Sequence, residues 1–260
     1  NTAGYNCSYL PVDDPKSFDE AMFILLCGTG VGFSVERQFI QQLPEVPELF
    51  ESETMIVVKD SKEGWAKAYR QLLALLWAGE IPKWDVSRVR PAGARLKTFG
   101  GRASGPAPLV ELFNFTVTTF KLAQGRKLSS MECHDLMCFI GQIVVVGGVR
   151  RSAMISLSNL SDDRMRHAKS GQWWETAPHR ALANNSVSYT EKPDIETFMR
   201  EWTALVESKS GERGIFNREA SKAQAAKYGR RDPDWQFGTN PCSEIILRPY
   251  QFCNLTEVVV

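Results

Sequence analysis

The chain has 260 residues, 43% hydrophobic and 23% charged, with a formal net charge of +1. That is the composition of one large globular domain or two small ones. A balanced charge gives no polyelectrolyte signal for a nucleic-acid partner. No apolar run approaches the roughly 20 residues needed to cross a bilayer, so no membrane partner is expected. The elements follow in chain order. "NCSYL" around Cys7 reads as a strand. In "SFDEAMFILLCGTGVGF", Ser17 stands three residues before Glu20, the spacing of a capping box. Met22, Phe23 and Leu26 follow at helical spacing, and Gly28 and Gly30 end the helix. "SETMIVVKD" reads as a strand. The next segment, from Asp60 with Glu63, is a helix carrying Trp65, Leu72, Leu73 and Leu76 on one face, terminated by Gly79 and Pro82. "RPAGARLKTFGGRASGPAP" is polar, rich in Gly and Pro, and reads as a long loop of the kind that is functional or disordered.

Two helices follow: "PLVELFNFTVTTFKLAQG", and a second opening on a Ser129/Glu132 box. "SAMISLSNL", "NNSVSYT", "GIFN" and "CNLTEVVV" read as strands. Between the second and third lies an amphipathic helix with Ile195, Phe198, Trp202 and Leu205. Strands alternating with helices predict an α/β fold with largely parallel pairing.

Six cysteines, at 7, 27, 133, 138, 242 and 253, are too sparse for a disulfide scaffold. None has zinc-ligand spacing, so no metal site is expected. With no secretion signal at the N-terminus the expected compartment is the cytoplasm. Cys27, Cys133 and Cys138 fall within apolar helical patterns and read as core. The three histidines, 134, 167 and 179, are scattered and suggest no triad. "GTGVGF" has the glycines of a dinucleotide-binding loop but the wrong order, because a helix precedes them; a helix stop with a tight backbone approach is the competing reading. Arg150 and Arg151 in "VRRSA" suit either a phosphate or a solvated surface.

"GTNPCSEI" holds the densest chemistry. In an extended backbone Asn240, Cys242 and Glu244 project to one side. Pro241 stiffens the segment and disfavours helix at Asn240. An amide, a thiol and a carboxylate are then presented together. Cys253 and Cys7 add two further thiols, enough for one reactive sulfur and one two-electron reductant.

"NPCSEI" with "CNLTEV" resembles the finger loop of the ribonucleotide reductases. "NCSYL", "GTGVGFSV", "FGGRASGP", "GGVRRSA", "ANNSV" and "GERGIFN" resemble blocks found in the same order in that family. The nearest likeness is to the monomeric, adenosylcobalamin-dependent (class II) ribonucleoside-triphosphate reductases. Residues 38–90 resemble the insertion by which the monomeric type imitates a dimer partner. That insertion separates the cobalamin class from the alternative, a di-iron ribonucleoside-diphosphate reductase.

The resemblance implies a ten-stranded α/β barrel of the thiyl-radical type, of which residues 1–260 form about the first half, with the finger loop at 238–253. It implies that Cys242 becomes the thiyl radical, Glu244 is the base, Asn240 holds the ribose hydroxyls, and Cys7 and Cys253 are the reducing dithiol. It implies that Lys97, Thr98, Phe99, Gly100, Gly101 and Arg102, within the loop Gly93 to Pro106, link an effector site to the substrate. The implied cofactor is adenosylcobalamin. The implied partners are a ribonucleoside triphosphate, deoxynucleotide or ATP effectors, and a thioredoxin-like reductant acting through a C-terminal tail. On the family's pattern the chain lacks a preceding segment, the second half-barrel and that tail, so activity of this segment alone is not expected. Two further readings are a nucleotide-binding module without chemistry and a domain whose cysteines only cross-link.

Overall fold

The computed structural model describes residues 2–96, 101–146, 152–229 and 231–259. In chain order the elements are β1 (Cys7–Pro11), α1 (Lys16–Leu26), β2 (Gly30–Ser34), α2 (Arg37–Ile40), β3 (Phe50–Val57), α3 (Lys62–Trp77) and β4 (Glu80–Asp85). They continue with α4 (Ala107–Ala123), α5 (Ser130–Val146), β5 (Met154–Asn159), α6 (Asp163–Arg166), α7 (Trp173–Thr176) and β6 (Asn184–Tyr189). The last are α8 (Ile195–Ser208), β7 (Gly214–Asn217), α9 (Arg218–Ala226), β8 (Gly238–Thr239), β9 (Ile246–Leu247) and β10 (Gln251–Cys253).

The main sheet has the order β10-β1-β2-β5-β6-β7. β1, β2, β5, β6 and β7 are parallel to one another, as the strand–helix alternation requires. β10 pairs antiparallel with β1. The chain therefore leaves the sheet at β7, one edge, and re-enters at β10, the other edge. The segment between carries the β8–β9 hairpin, which lies over β1 and β2.

Period-two alternation separates the two faces of β2. Val31 and Phe33 join the helix-side core with Phe18, Met22, Leu25 and the buried faces of α3, α4 and α5. Gly30, Gly32 and Ser34 take the other face. That bare face accepts the hairpin. A Cβ on Gly32 would lie 1.8 Å from the Thr239 carbonyl oxygen, and one on Gly30 would lie 2.8 Å from Pro241 Cγ. Across the contact, a Cβ on Gly238 would lie 2.1 Å from the Tyr9 ring. The glycines of "GTGVGF" serve a close approach of backbone to backbone, the second of the two readings above. Only Gly28 belongs to the helix stop, at φ +85°; Gly30 already opens β2.

Several local expectations shift. Pro15, not a Ser17/Glu20 box, precedes α1, and Ser17 turns inside the helix to donate to the Pro11 carbonyl at 3.1 Å. Ser61, not Asp60, caps α3 through Gly64 N–H at 2.9 Å, which leaves Asp60 to accept from Arg90 at 2.7 Å. The Ser129/Glu132 box forms as expected. Past Gly79 the chain enters β4, parallel to β3, where the sequence pattern showed only a terminator. The expected strand "CNLTEVVV" stops at Cys253, and residues 254–259 form no strand. α8 is amphipathic, yet Ile195, Met199, Trp202 and Val206 face solvent. What buries α8 is a charge: Glu201 sits between Arg166 at 2.8 Å and Arg213 at 2.6 Å. Cys133 and Cys138 are core as expected, whereas Cys27 caps α1 and is half-buried. Among the described residues no helix is long and apolar enough to cross a membrane.

Candidate active site

Cys7 opens β1 and Cys253 ends β10, and the two are directly opposite in the antiparallel register. Residues so paired have Cα atoms about 4.5–5.5 Å apart, within the roughly 4.4–6.8 Å that a disulfide spans. Both are free thiols and half-buried. The 246-residue separation in sequence is closed by the return of the chain past the hairpin.

The hairpin tip, residues 240–245, lies beside this pair. Cβ of a residue at 30 would sit 3.5 Å from Cys7 Sγ and 2.8 Å from Pro241 Cγ, so Pro241 and Cys7 share one small-residue floor. Asn240 is fully buried, and its Nδ2 donates to Cys7 Sγ at 3.9 Å. Its Oδ1 accepts from the Ile245 N–H at 3.0 Å, and its own N–H donates to the Ile245 carbonyl at 3.2 Å. Asn240 thus closes the tip with one end of its amide and meets the thiol with the other.

These bonds overturn the extended geometry expected for "GTNPCSEI". Ser243 N–H donates to the Asn240 carbonyl at 3.0 Å, and Ser243 itself is left-handed at φ +70°. The tip is a turn, so period-two alternation does not apply. Asn240 points inward to Cys7, while Cys242 and Glu244 are exposed at the outer end. Glu244 makes no hydrogen bond or ion pair among the described residues.

Burial first, then the neighbouring Cys253 sulfur, push the Cys7 thiol up to about 11; the Asn240 hydrogen bond acts in the opposite sense. Cys7 is therefore a neutral thiol near pH 7. Its alkylation rate is expected to rise about tenfold per pH unit until the pH approaches that value, because the thiolate is the nucleophile. Asn240→Ala removes a donor to the sulfur and is expected to move the inflection higher. Mass-spectrometric alkylation of Cys7 across pH measures both. An inflection at the unperturbed value of about 8.5 would contradict this environment.

Of the loop expected to carry effector signals, Lys97, Thr98, Phe99 and Gly100 lie outside the described residues, as do Arg150 and Arg151. Gly101 adopts φ +86°, and Arg102 donates to the Gly93 carbonyl at 2.9 Å while bridging Arg95 across the loop. The scattered histidines are partly gathered. His134 Nδ1 lies 3.5 Å and His179 Nε2 3.2 Å from Asp135 Oδ1, and Arg180 clamps the same carboxylate at 2.7 and 2.8 Å. This cluster joins α5 to the turn Pro178–Leu182.

A parallel α/β half-barrel whose inner face is crossed by a cysteine-tipped hairpin is the fold class of the ribonucleotide reductases. A family model described as "B12-dependent ribonucleotide reductase, insertion domain" matches residues 36–119. The adenosylcobalamin-dependent ribonucleoside-triphosphate reductase of Lacticaseibacillus paracasei is 32% identical, over 98% of this chain and 39% of that protein. The protein of the same name from Lactobacillus delbrueckii subsp. bulgaricus is 33% identical, over 93% of this chain and 37% of that protein. The crystal structure of a B12-dependent (class II) ribonucleotide reductase superposes with a TM-score of 0.79 at 25% identity, covering 94% of this chain and 41% of that one. Over nearly its whole length the chain is similar to the B12-dependent (class II) ribonucleotide reductases. It spans about two fifths of the length of the relatives it matches.

Proposed function

We propose that this chain supplies the radical cysteine and the reducing dithiol of an adenosylcobalamin-dependent ribonucleoside-triphosphate reductase. The observation that carries the reading is the direct opposition of Cys7 and Cys253 beneath a hairpin tip bearing Cys242. A cross-linking domain would need the pair but not the third, exposed thiol. A nucleotide-binding module would need neither.

Cys242 gives up its sulfur hydrogen atom, and the resulting thiyl takes the 3′-hydrogen of the ribose. Glu244 accepts the 3′-hydroxyl proton while the 2′-hydroxyl leaves as water. Asn240 is the group assigned to the ribose hydroxyls, a role in which its buried Nδ2 exchanges the long contact to Cys7 Sγ for the substrate. Cys7 and Cys253 together give two electrons and two hydrogens and close to a disulfide, so that ribonucleotide plus dithiol yields deoxyribonucleotide, disulfide and water. Cys242 then recovers its hydrogen. Adenosylcobalamin, when bound, supplies the organic radical that side chains do not generate unaided. The exposed Cys242 thiol fits that role, because a sulfur at an outer turn is open to a cofactor-borne radical. A thioredoxin-like reductant reopens the disulfide.

The unit of α3, β3 and β4 within residues 38–90 serves as the insertion that imitates a dimer partner, a reading supported by the insertion-domain match. The loop from Gly93 to Pro106 relays the bound effector, a deoxynucleotide or ATP, to the substrate base. The test is reduction of a ribonucleoside triphosphate by a polypeptide of the relatives' full length that contains this segment, with adenosylcobalamin as the only radical source. No deoxynucleotide formed under those conditions would sink the reading.

A further inference from the structure

We propose that the buried Glu36–Arg218 pair is a clamp that sets the position of the β8–β9 hairpin, and through it Cys242, over the Cys7–Cys253 pair. Glu36 follows β2, and Arg218 opens α9 directly after β7. The two are 182 residues apart in sequence. Both side chains are fully buried. Arg218 donates Nη1 to Glu36 Oε1 at 2.8 Å and Nη2 to Glu36 Oε2 at 2.6 Å. Its remaining edge donates Nε to the Phe237 carbonyl at 2.7 Å. Phe237 is buried and immediately precedes β8. The carboxylate is fixed in turn by Ser34 Oγ at 2.7 Å and Gln38 Nε2 at 3.0 Å.

The physical argument turns on why a charge pair stands there. A buried ion pair is a weak source of stability, since an apolar pair of similar volume often does as well. What the planar guanidinium gives is direction. Its fork accepts a carboxylate in one plane and leaves Nε aimed along one line. That line ends on the backbone of the hairpin. The hairpin needs an external anchor, because its strands are two residues each and a two-stranded unit is at best marginal alone. The glycine contacts at Gly32 and Gly238 permit close approach but do not select a position along β1 and β2. Arg218 does, by tying the entry of the hairpin to the end of β2.

The proposal rests on the reductase reading only for what the position of Cys242 is for; the clamp itself is tested without it. The variants are Arg218→Lys, which keeps the charge but not the fork, and the double substitution Glu36→Met with Arg218→Met. The readout is amide hydrogen exchange of the 260-residue chain, comparing peptides over 238–247 with peptides over α4 and α5. Loss of one charge-assisted hydrogen bond is expected to speed exchange in 238–247 by about 10–100-fold in Arg218→Lys. Exchange in α4 and α5 stays at the parent rate. The double variant, with no stranded charge, retains the α4 and α5 protection and still loses that of 238–247. Unchanged hairpin exchange in both variants overturns the clamp. So does parallel loss of protection in α4 and α5, which makes the pair a general stabiliser of the sheet. In a reductase of full length, Arg218→Lys is expected to lower kcat at least about tenfold with KM held within about twofold, since the interaction lost is one felt in the transition state. An inactive parent enzyme strikes the reductase reading and leaves the exchange result to decide the clamp.

Discussion

Cys7→Ser or Cys253→Ser, in a polypeptide of the relatives' full length, is expected to abolish multiple turnovers with a dithiol reductant. Serine is close to cysteine in size, and the β1–β10 register is held by backbone pairing, so the fold should survive either change. What is lost is chemistry: an oxygen cannot close a disulfide with the remaining sulfur. Reduction of the ribose needs two electrons, and a lone thiol at this position supplies one. Thiyl formation at Cys242 should persist, because that sulfur sits on a separate turn. The measurements are steady-state deoxynucleotide formation and exchange of the cofactor's 5′ hydrogens with solvent. The parent enzyme in a single turnover without external reductant should yield one Cys7–Cys253 disulfide per deoxynucleotide, read by peptide mapping. Undiminished steady-state turnover in either variant would remove these sulfurs from the reductive step.

The sequence announced the architecture through rules that act over short range. β1, β5, β6 and β7 lie where short apolar runs alternate with helical periodicity, and parallel pairing follows from that alternation. The Ser129/Glu132 box was legible because both partners sit within one turn. Where a local signal had a competitor, it misled. Ser17 found the Pro11 carbonyl, and Asp60 found Arg90, so neither capped its helix. α9 was invisible because it is mostly polar, with Ala225 and Arg218 its buried residues.

The site divides in the same way. Its inventory of thiols, amide and carboxylate could be read from residue types alone. Its geometry could not. The tip turns at Ser243 rather than running extended, because Asn240 spends both ends of its amide on partners that only the fold brings near, Ile245 N–H and Cys7 Sγ. The alternation Gly-Val-Gly-Phe, read from sequence as a helix stop with a tight backbone approach, is a strand with one bare face. What covers that face comes from more than 200 residues downstream, beyond the reach of any local pattern. The Glu36–Arg218 pair is invisible for the same reason: nothing around either residue marks it as buried.

Cys242→Ser is expected to eliminate both ribonucleotide reduction and cofactor-hydrogen exchange in the full-length enzyme. The O–H bond of serine is much stronger than the S–H bond of cysteine, so hydrogen transfer from the side chain becomes steeply uphill. Position is not the cause of the loss, since residue 242 is exposed on a turn whose closing bonds run through Asn240 and Ile245. Glu244→Gln separates the two activities. It leaves the sulfur intact and removes the carboxylate proposed as acceptor of the 3′-hydroxyl proton. Exchange of the 5′ hydrogens should continue, while reduction falls by about 10²–10⁴-fold, the usual worth of a general base. Glu244 has no structural partner among the described residues, so its replacement should leave the tip in place. The pair of variants therefore assigns the two groups independently. Exchange that persists in Cys242→Ser would place the radical on another residue. Reduction that survives Glu244→Gln at the parent rate would pass the role of base to a group outside this segment.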